Sequence, residues 1–186
     1  MSGVYWYVGV TGSGKTTLAL EHIRKTISLT RYPLLTINTH GARNLAQLPH
    51  VNSVKAAVRK VWGARRHAAF IPKTSEEVGA LLKAARAGGR AIILIDEAAA
   101  WINQYTSEEV MATFRVHRHS RLYIYCTTQS LGEISPRALQ TTTRLHAFRN
   151  VSARVLERLD KEFQFDREKV RNLPRGEHLE WKGAFV

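Results

Sequence analysis

One cysteine, Cys126, stands in the 186-residue chain, inside an apolar run. A lone thiol excludes an intramolecular disulfide and any cysteine-cluster metal site. A buried, inert thiol in a reducing cytosol is the expected reading. No apolar run approaches the roughly 20 residues that a membrane helix needs, so no transmembrane segment is expected. No basic segment precedes the first apolar run, which argues against a secretory signal. Repeats, low-complexity stretches and linkers are missing too. The chain therefore reads as one domain over residues 1–186, long enough to bury a full core. Acid is scarce, with 15 Asp and Glu against 28 Lys and Arg and a net charge of +13. That excess favours a polyanion as partner, nucleic acid first. The few acids include no cluster like that of a metal-dependent nuclease.

What is present begins with Gly9-Val10-Thr11-Gly12-Ser13-Gly14-Lys15-Thr16, a match to the phosphate-loop pattern G-x-x-x-x-G-K-[ST] at every fixed position. An apolar run from Val4 to Val10 precedes it as a buried strand would. Thr16, Ala19, Leu20, Ile23 and Ile27 follow on one helical face. Gly12 and Gly14 free the backbone to turn its N–H groups inward as an anion nest. The helix N-terminus adds partial positive charge. Lys15 supplies a point charge for the β- and γ-phosphates of ATP, and the Thr16 hydroxyl a ligand for Mg²⁺. Gly9, Thr11, Gly12, Ser13, Gly14, Lys15, Thr16 and Thr17 are the predicted nucleotide-binding set.

The chain then alternates strand and helix. Leu34–Asn38 reads as a strand between Pro33 and Gly41, and residues 39–51 as a loop. Val54, Ala57, Val58 and Val61 make a helical stripe, followed by a strand from Ala68 to Ile71. Thr74-Ser75-Glu76-Glu77 is a capping box opening a helix with Val78, Leu81, Leu82 and Ala85 on one face, closed by Gly88-Gly89. A second capping box is expected at Thr106-Ser107-Glu108-Glu109, ahead of a helix with Val110, Phe114 and His117 on one stripe. Leu122–Thr128 reads as a strand, Ser135-Pro136 as the start of a short helix, and Arg144–Arg149 as another strand. Val155, Leu156, Leu159 and Phe163 mark one more helix, and Gly176–Lys182 a further edge strand.

Ala91–Glu97 is the second strong motif. Five apolar residues predict a strand buried on both faces. Asp96 and Glu97 close it at the carboxyl edge, where open α/β sheets bind ligands. Asp96 is predicted to hold Mg²⁺ and Glu97 to polarise the attacking water as general base. Gln129, just past the strand Leu122–Thr128, can orient that water or sense the γ-phosphate, or serve as an ordinary polar loop residue. Arg59, Lys60, Arg65 and Arg66 form the densest basic cluster, with Arg43 in the earlier loop. They are the candidate DNA contacts, against the plainer reading of a solvated helix face.

The order of Gly9–Thr16, Ile92–Glu97, Arg115-Val116-His117-Arg118-His119 and an apolar strand running into Thr127-Thr128-Gln129 resembles the FtsK/HerA branch of P-loop ATPases. It is most similar to the genome-packaging ATPases of double-stranded DNA viruses with an internal membrane. The resemblance spans residues 4 to about 150; the stretch from Ser152 carries no motif that extends it. It implies an α/β fold with a mostly parallel, additional-strand P-loop sheet flanked by helices. It also implies a homo-oligomeric ring, hexamer or pentamer, that drives double-stranded DNA into a preformed capsid. Partners would be duplex DNA of any sequence and capsid-vertex or membrane proteins of a virion. The location would be the host cytoplasm or the packaging vertex. In that family an arginine from a neighbouring subunit completes the active site; Arg118 best matches, with Arg115 and Arg121 as rivals. ATP hydrolysis coupled to DNA translocation is the expected activity. The alternatives are a nucleotide-dependent switch or assembly factor, a small-molecule kinase, and a filamentous-phage-type morphogenesis ATPase; the last is expected to carry a transmembrane segment.

Overall fold

The computed structural model describes residues 2–39 and 48–183. Among the described residues eight strands form one sheet: β1 Gly3–Val8, β2 Leu34–Asn38, β3 His50–Val51, β4 Ala68–Phe70, β5 Ala91–Asp96, β6 Leu122–Thr128, β7 Arg144–Phe148 and β8 His178–Lys182. Their order across the sheet is β3-β4-β2-β5-β6-β1-β7-β8. Every pairing is parallel except β7 with β8. β6 pairs with both β1 and β5 and so separates them. That inserted strand is the one expected of an additional-strand P-loop sheet.

Two-sided burial explains the apolar runs. All six residues of β5 are buried. Ile93 and Ile95 face the larger core, against Leu81 and Leu82 of α3 (Ser75–Gly88) and Phe114 of α4 (Glu108–Arg115). Ile92 and Leu94 face the other way, toward Ala19 and Ile23 of α1 (Lys15–Thr30). The period of two along the strand thus serves both layers at once. The larger core also takes α2 (Val54–Val58) and α6 (Ala153–Phe163), whose Val155, Leu156, Leu159 and Phe163 are all buried as the stripe predicted. Cys126 is buried and free, and burial pushes its thiol pKa well up.

Most sequence boundaries hold within a residue or two, and the differences have local causes. The loop expected over residues 39–51 ends in β3, which pairs with β4; residues 40–47, Arg43 among them, lie outside the described residues. The helical stripe at Val54–Val61 passes from α2 into a π-helical turn, Arg59–Gly63. At α3, Thr74 caps Glu77 N–H as predicted, but the Glu77 carboxylate accepts from Lys73 N–H at 2.6 Å, one residue earlier than a capping box requires. The second capping box is absent. Ser107 is the N-cap of α4 and makes no side-chain cap bond. Thr106 is one residue too early, and its hydroxyl donates to Trp101 O at 3.1 Å and accepts from Asn103 N–H at 2.6 Å. α5 (Pro136–Leu139) starts at the expected proline; α7 (Arg167–Arg171), capped by Asp166, had no expected counterpart. No helix among the described residues is long and apolar enough to cross a membrane.

Candidate nucleotide site

Parallel strands bring their carboxyl ends to one edge, and the phosphate loop, Asp96, Glu97 and Gln129 meet there. β1 runs into the phosphate loop, which is pinned from both sides. Gly9 N–H donates to Thr128 O and Val10 N–H to Arg149 O, each at 3.1 Å. Gly12 and Gly14 take φ of 75° and 102°, the left-handed region that the inward-turned loop demands. Gly9 is needed for space: a Cβ there would lie 2.6 Å from Phe148 Cβ and 2.7 Å from Ser13 Oγ.

The loop fits a polyphosphate. Lys15 is only 8% exposed, and its ammonium donates to Val10 O at 3.4 Å. Burial lowers its pKa, while Glu97 and Asp96 oppose the shift. The Ser13 hydroxyl is buried and has no partner among the described residues. A cleft of about 510 Å³ opens over the loop, lined by Gly12–Leu18, Glu21, Phe148, Arg175 and Gly176. Thr16 and Thr17 are both on its wall.

The two acids are held differently. Asp96 is buried, and one carboxylate oxygen accepts from Thr127 Oγ1 at 2.7 Å. Its main-chain carbonyl accepts from the Thr39 hydroxyl, which in turn accepts from Trp101 Nε1 at 2.8 Å. Glu97 leaves the strand in the left-handed region, φ 49°. That turn swings its carboxylate onto the end of β6, where Thr128 Oγ1 and Gln129 N–H donate to Oε1 at 3.1 and 2.9 Å. Gln129 Nε2 donates to Oε2 at 3.4 Å, and Gln129 Oε1 accepts from Thr11 Oγ1 at 3.0 Å. The Thr16 hydroxyl and the Asp96 carboxylate offer the hard oxygen ligands that Mg²⁺ prefers.

Arg118 lies elsewhere. His117 O accepts from Leu122 N–H at 2.8 Å, so the turn carrying Arg118 abuts the start of β6, at the opposite edge of the sheet from the phosphate loop. Arg118 cannot reach its own subunit's nucleotide. Glu108 is taken by Arg115 and, at 3.9 Å, by Arg137. Arg118 is exposed and has no ion pair among the described residues. His117, beside it, points inward, with Nδ1 2.6 Å from Phe114 O and burial lowering its pKa. Arg59, Lys60, Arg65 and Arg66 sit on the π-helical turn and the loop before β4, away from the cleft.

Sequence reasoning missed Arg175 and Gly176. Arg175 Nε donates to Gly12 O at 3.1 Å, and Gly176 N–H to Ser13 O at 3.2 Å. Pro174-Arg175-Gly176 carries a turn signal. Nothing in the local sequence says that this turn docks on a loop 163 positions earlier.

Strand, phosphate loop, helix and an acid pair across an inserted strand define a P-loop nucleoside triphosphatase. The model of the ATPase family associated with various cellular activities (AAA) matches residues 5–167. The chain belongs to that family and is an ATPase. No curated protein matches it in sequence. Among solved structures, it is similar to the genome packaging NTPase B204 of Sulfolobus turreted icosahedral virus 2 in complex with AMPPCP. The TM-score is 0.81 at 15% identity, over 97% of this chain and 92% of that one. B204 of Sulfolobus turreted icosahedral virus, the DNA-packaging ATPase, gives 0.77 at 16% identity, over 98% and 94%. VirB4 of Thermoanaerobacter pseudethanolicus gives 0.60 at 8% identity, over 97% and 87%. At these identities the likeness is one of fold.

Proposed function

We propose that the chain is a motor ATPase that moves double-stranded DNA, of the kind that packages a viral genome into a preformed capsid. One observation carries the reading: the fold likeness to a viral genome-packaging NTPase extends over 97% of the chain. The net charge of +13 suits a DNA partner of any sequence. In this reading Gly9–Thr17 cradle ATP, with Lys15 against the terminal phosphates. Thr16 and Asp96 would hold Mg²⁺, which when bound neutralises phosphate charge. Glu97 accepts a proton from the attacking water, and Gln129 orients it. Arg118 of a neighbouring subunit faces the γ-phosphate across a ring interface. The motor works in the host cytoplasm, at a capsid vertex or its membrane proteins.

Hydrolysis measured with and without duplex DNA tests the proposal. Turnover stimulated by DNA regardless of sequence supports it. Nucleotide binding with negligible turnover, unchanged by DNA, would instead mark a switch or assembly factor.

A further inference from the structure

Six non-glycine residues among those described have positive φ, and four of them are arginines: Arg31 (56°), Arg65 (53°), Arg90 (46°) and Arg121 (53°). Each lies in the turn just before a strand, namely β2, β4, β5 and β6 in that sequence. Those strands are consecutive in the sheet, in the order β4-β2-β5-β6. The four arginines therefore stand in a row along the amino edge, opposite the nucleotide cleft. With neighbouring strands about 4.8 Å apart, the row spans roughly 15 Å.

Hydrogen bonds link three of the four turns. Arg65 Nη1 donates to Arg90 O at 3.5 Å. Arg90 N–H donates to Ser120 O at 2.9 Å, next to Arg121. All four side chains are exposed, as are Arg66 and Arg118 beside them. None of the six is in an ion pair among the described residues. No acid occurs between Glu21 and Glu76, or between Glu109 and Glu133. Glu76, Glu77 and Glu108 lie in the first turns of α3 and α4, and Glu109 is taken by Lys83 and Arg86 of α3. Among the described residues no acid therefore pairs with any of these six arginines.

The backbone here asks for glycine. A left-handed residue with a Cβ is strained, and glycine relieves that strain. Arginine occupies this conformation at four adjacent turns, so these side chains do something the fold itself does not require. We infer that the row of Arg31, Arg65, Arg90 and Arg121 seats the phosphate backbone of duplex DNA. The inference rests on the motor reading above and gives that partner a surface. Guanidinium forks match phosphate oxygens two at a time and stay charged at all working pH. A row of about 15 Å matches the axial rise of roughly four nucleotides of one strand. Contacts of this kind read no bases, as a motor moving along any sequence requires. Of the four contacts predicted from sequence, Arg65 belongs to the row and Arg66 adjoins it, whereas Arg59 and Lys60 sit on the preceding helical turn.

The test replaces all four arginines by glycine and measures affinity for a random-sequence duplex across a salt series. The slope of log affinity against log salt should become shallower by about 3 to 4, at about 0.9 for each phosphate no longer neutralised. The Tm should be no lower than the parent's, because glycine suits the conformation. A charge-matched control changes Lys161, Arg167, Lys169 and Arg171, all exposed on or beside α6 and α7, to alanine. Its slope should move by less than about one, the share of a single phosphate. Equal changes in both variants, or none in the glycine variant, overturn the assignment and leave the motor reading standing. A parent that binds no duplex overturns both. Two other results also overturn it. One is a glycine variant that binds DNA like the parent but no longer assembles by light scattering, which makes the row a subunit contact. The other is a parent that prefers polyglutamate over duplex DNA, which makes the partner an acidic protein.

Discussion

Gln129 joins Glu97 to Thr11. Its amide donates to Glu97 Oε2 at 3.4 Å, and its oxygen accepts from Thr11 Oγ1 at 3.0 Å. The proposed general base and the phosphate loop are therefore linked by one side chain at the tip of the inserted strand. Glu97→Gln should bind nucleotide normally and hydrolyse it about 10²–10⁴-fold more slowly, because an amide cannot take the water's proton. Gln129→Ala should slow hydrolysis with little change in nucleotide affinity. Single-turnover hydrolysis alongside equilibrium nucleotide binding separates the two effects. Parent-rate hydrolysis by Glu97→Gln removes Glu97 as the base.

Gly9 is set by close packing rather than by conformation. A methyl group there meets Phe148 Cβ at 2.6 Å and Ser13 Oγ at 2.7 Å. Gly9→Ala should destabilise the chain by about 1–3 kcal/mol, the usual range for overpacking, and also weaken nucleotide binding. Thermal unfolding with and without nucleotide checks both. An unchanged Tm would mean that the loop yields freely.

Arg175→Ala removes a guanidinium from the mouth of the cleft and frees Gly12 O. Nucleotide affinity should fall roughly tenfold, about 1.4 kcal/mol and close to a charged hydrogen bond's worth. Titration with a fluorescent ATP analogue measures it. No loss of affinity would reduce the Arg175–Gly12 bond to packing between loop and tail.

Arg118 lies at the edge opposite its own cleft, so its proposed action is across subunits. Lys15→Ala and Arg118→Ala should each be inactive alone. Mixed, they should regain part of the hydrolysis, because an intact loop of one can face an intact Arg118 of the other. Known fingers contribute about 10³–10⁵ in rate. Mixed rings that form without regaining activity remove Arg118, and the same mixture with Arg115→Ala or Arg121→Ala then examines its neighbours.

His146 on β7 stacks on Tyr7 at 4.9 Å, and neither ring nitrogen has a partner among the described residues. Burial, helped by His178 and His22, lowers its pKa from 6.5 to about 4. Between those values the unfolded chain binds the extra proton, so the contribution to stability is full above pH 6.5 and is lost as pH falls toward 4. His22 is shifted the same way and adds to the slope. His146→Phe should flatten the fall of Tm between pH 6.5 and 4.5; parallel curves for parent and variant would assign the acid sensitivity elsewhere.

The candidate nucleotide site was legible because its constraints are local. Gly9–Thr16 has a spacing that only a phosphate loop needs, and the apolar run into Asp96-Glu97 marks a two-faced strand and its carboxyl end together. Gln129 was placed by the strand before it. The amphipathic stripes of α3 and α6 located the larger core. Long-range facts had no such trace. The docking of Arg175 on Gly12 depends on β8 folding back beside β7. The row of arginines depends on strand order, which sets Arg31 of one turn beside Arg65 and Arg90 of others. Thr106 misled because a capping pattern is blind to competition. The preceding loop claims that hydroxyl, and the helix begins one residue later.

The clasp between Ser13 and Gly176 has a consequence for biosynthesis. The phosphate loop leaves the ribosome before the rest of the sheet, and the turn that closes on it follows 163 positions after Gly12. At roughly 5–20 residues per second, that is a wait of about ten to thirty seconds. The strand feeding the loop waits as well, since β1 is flanked by β6 and β7, which are both made long after it. A nascent chain halted before residue 122 carries the whole phosphate-loop motif with neither flanking strand to hold it. Nucleotide capture therefore waits until β6 and β7 have closed on β1 from both sides.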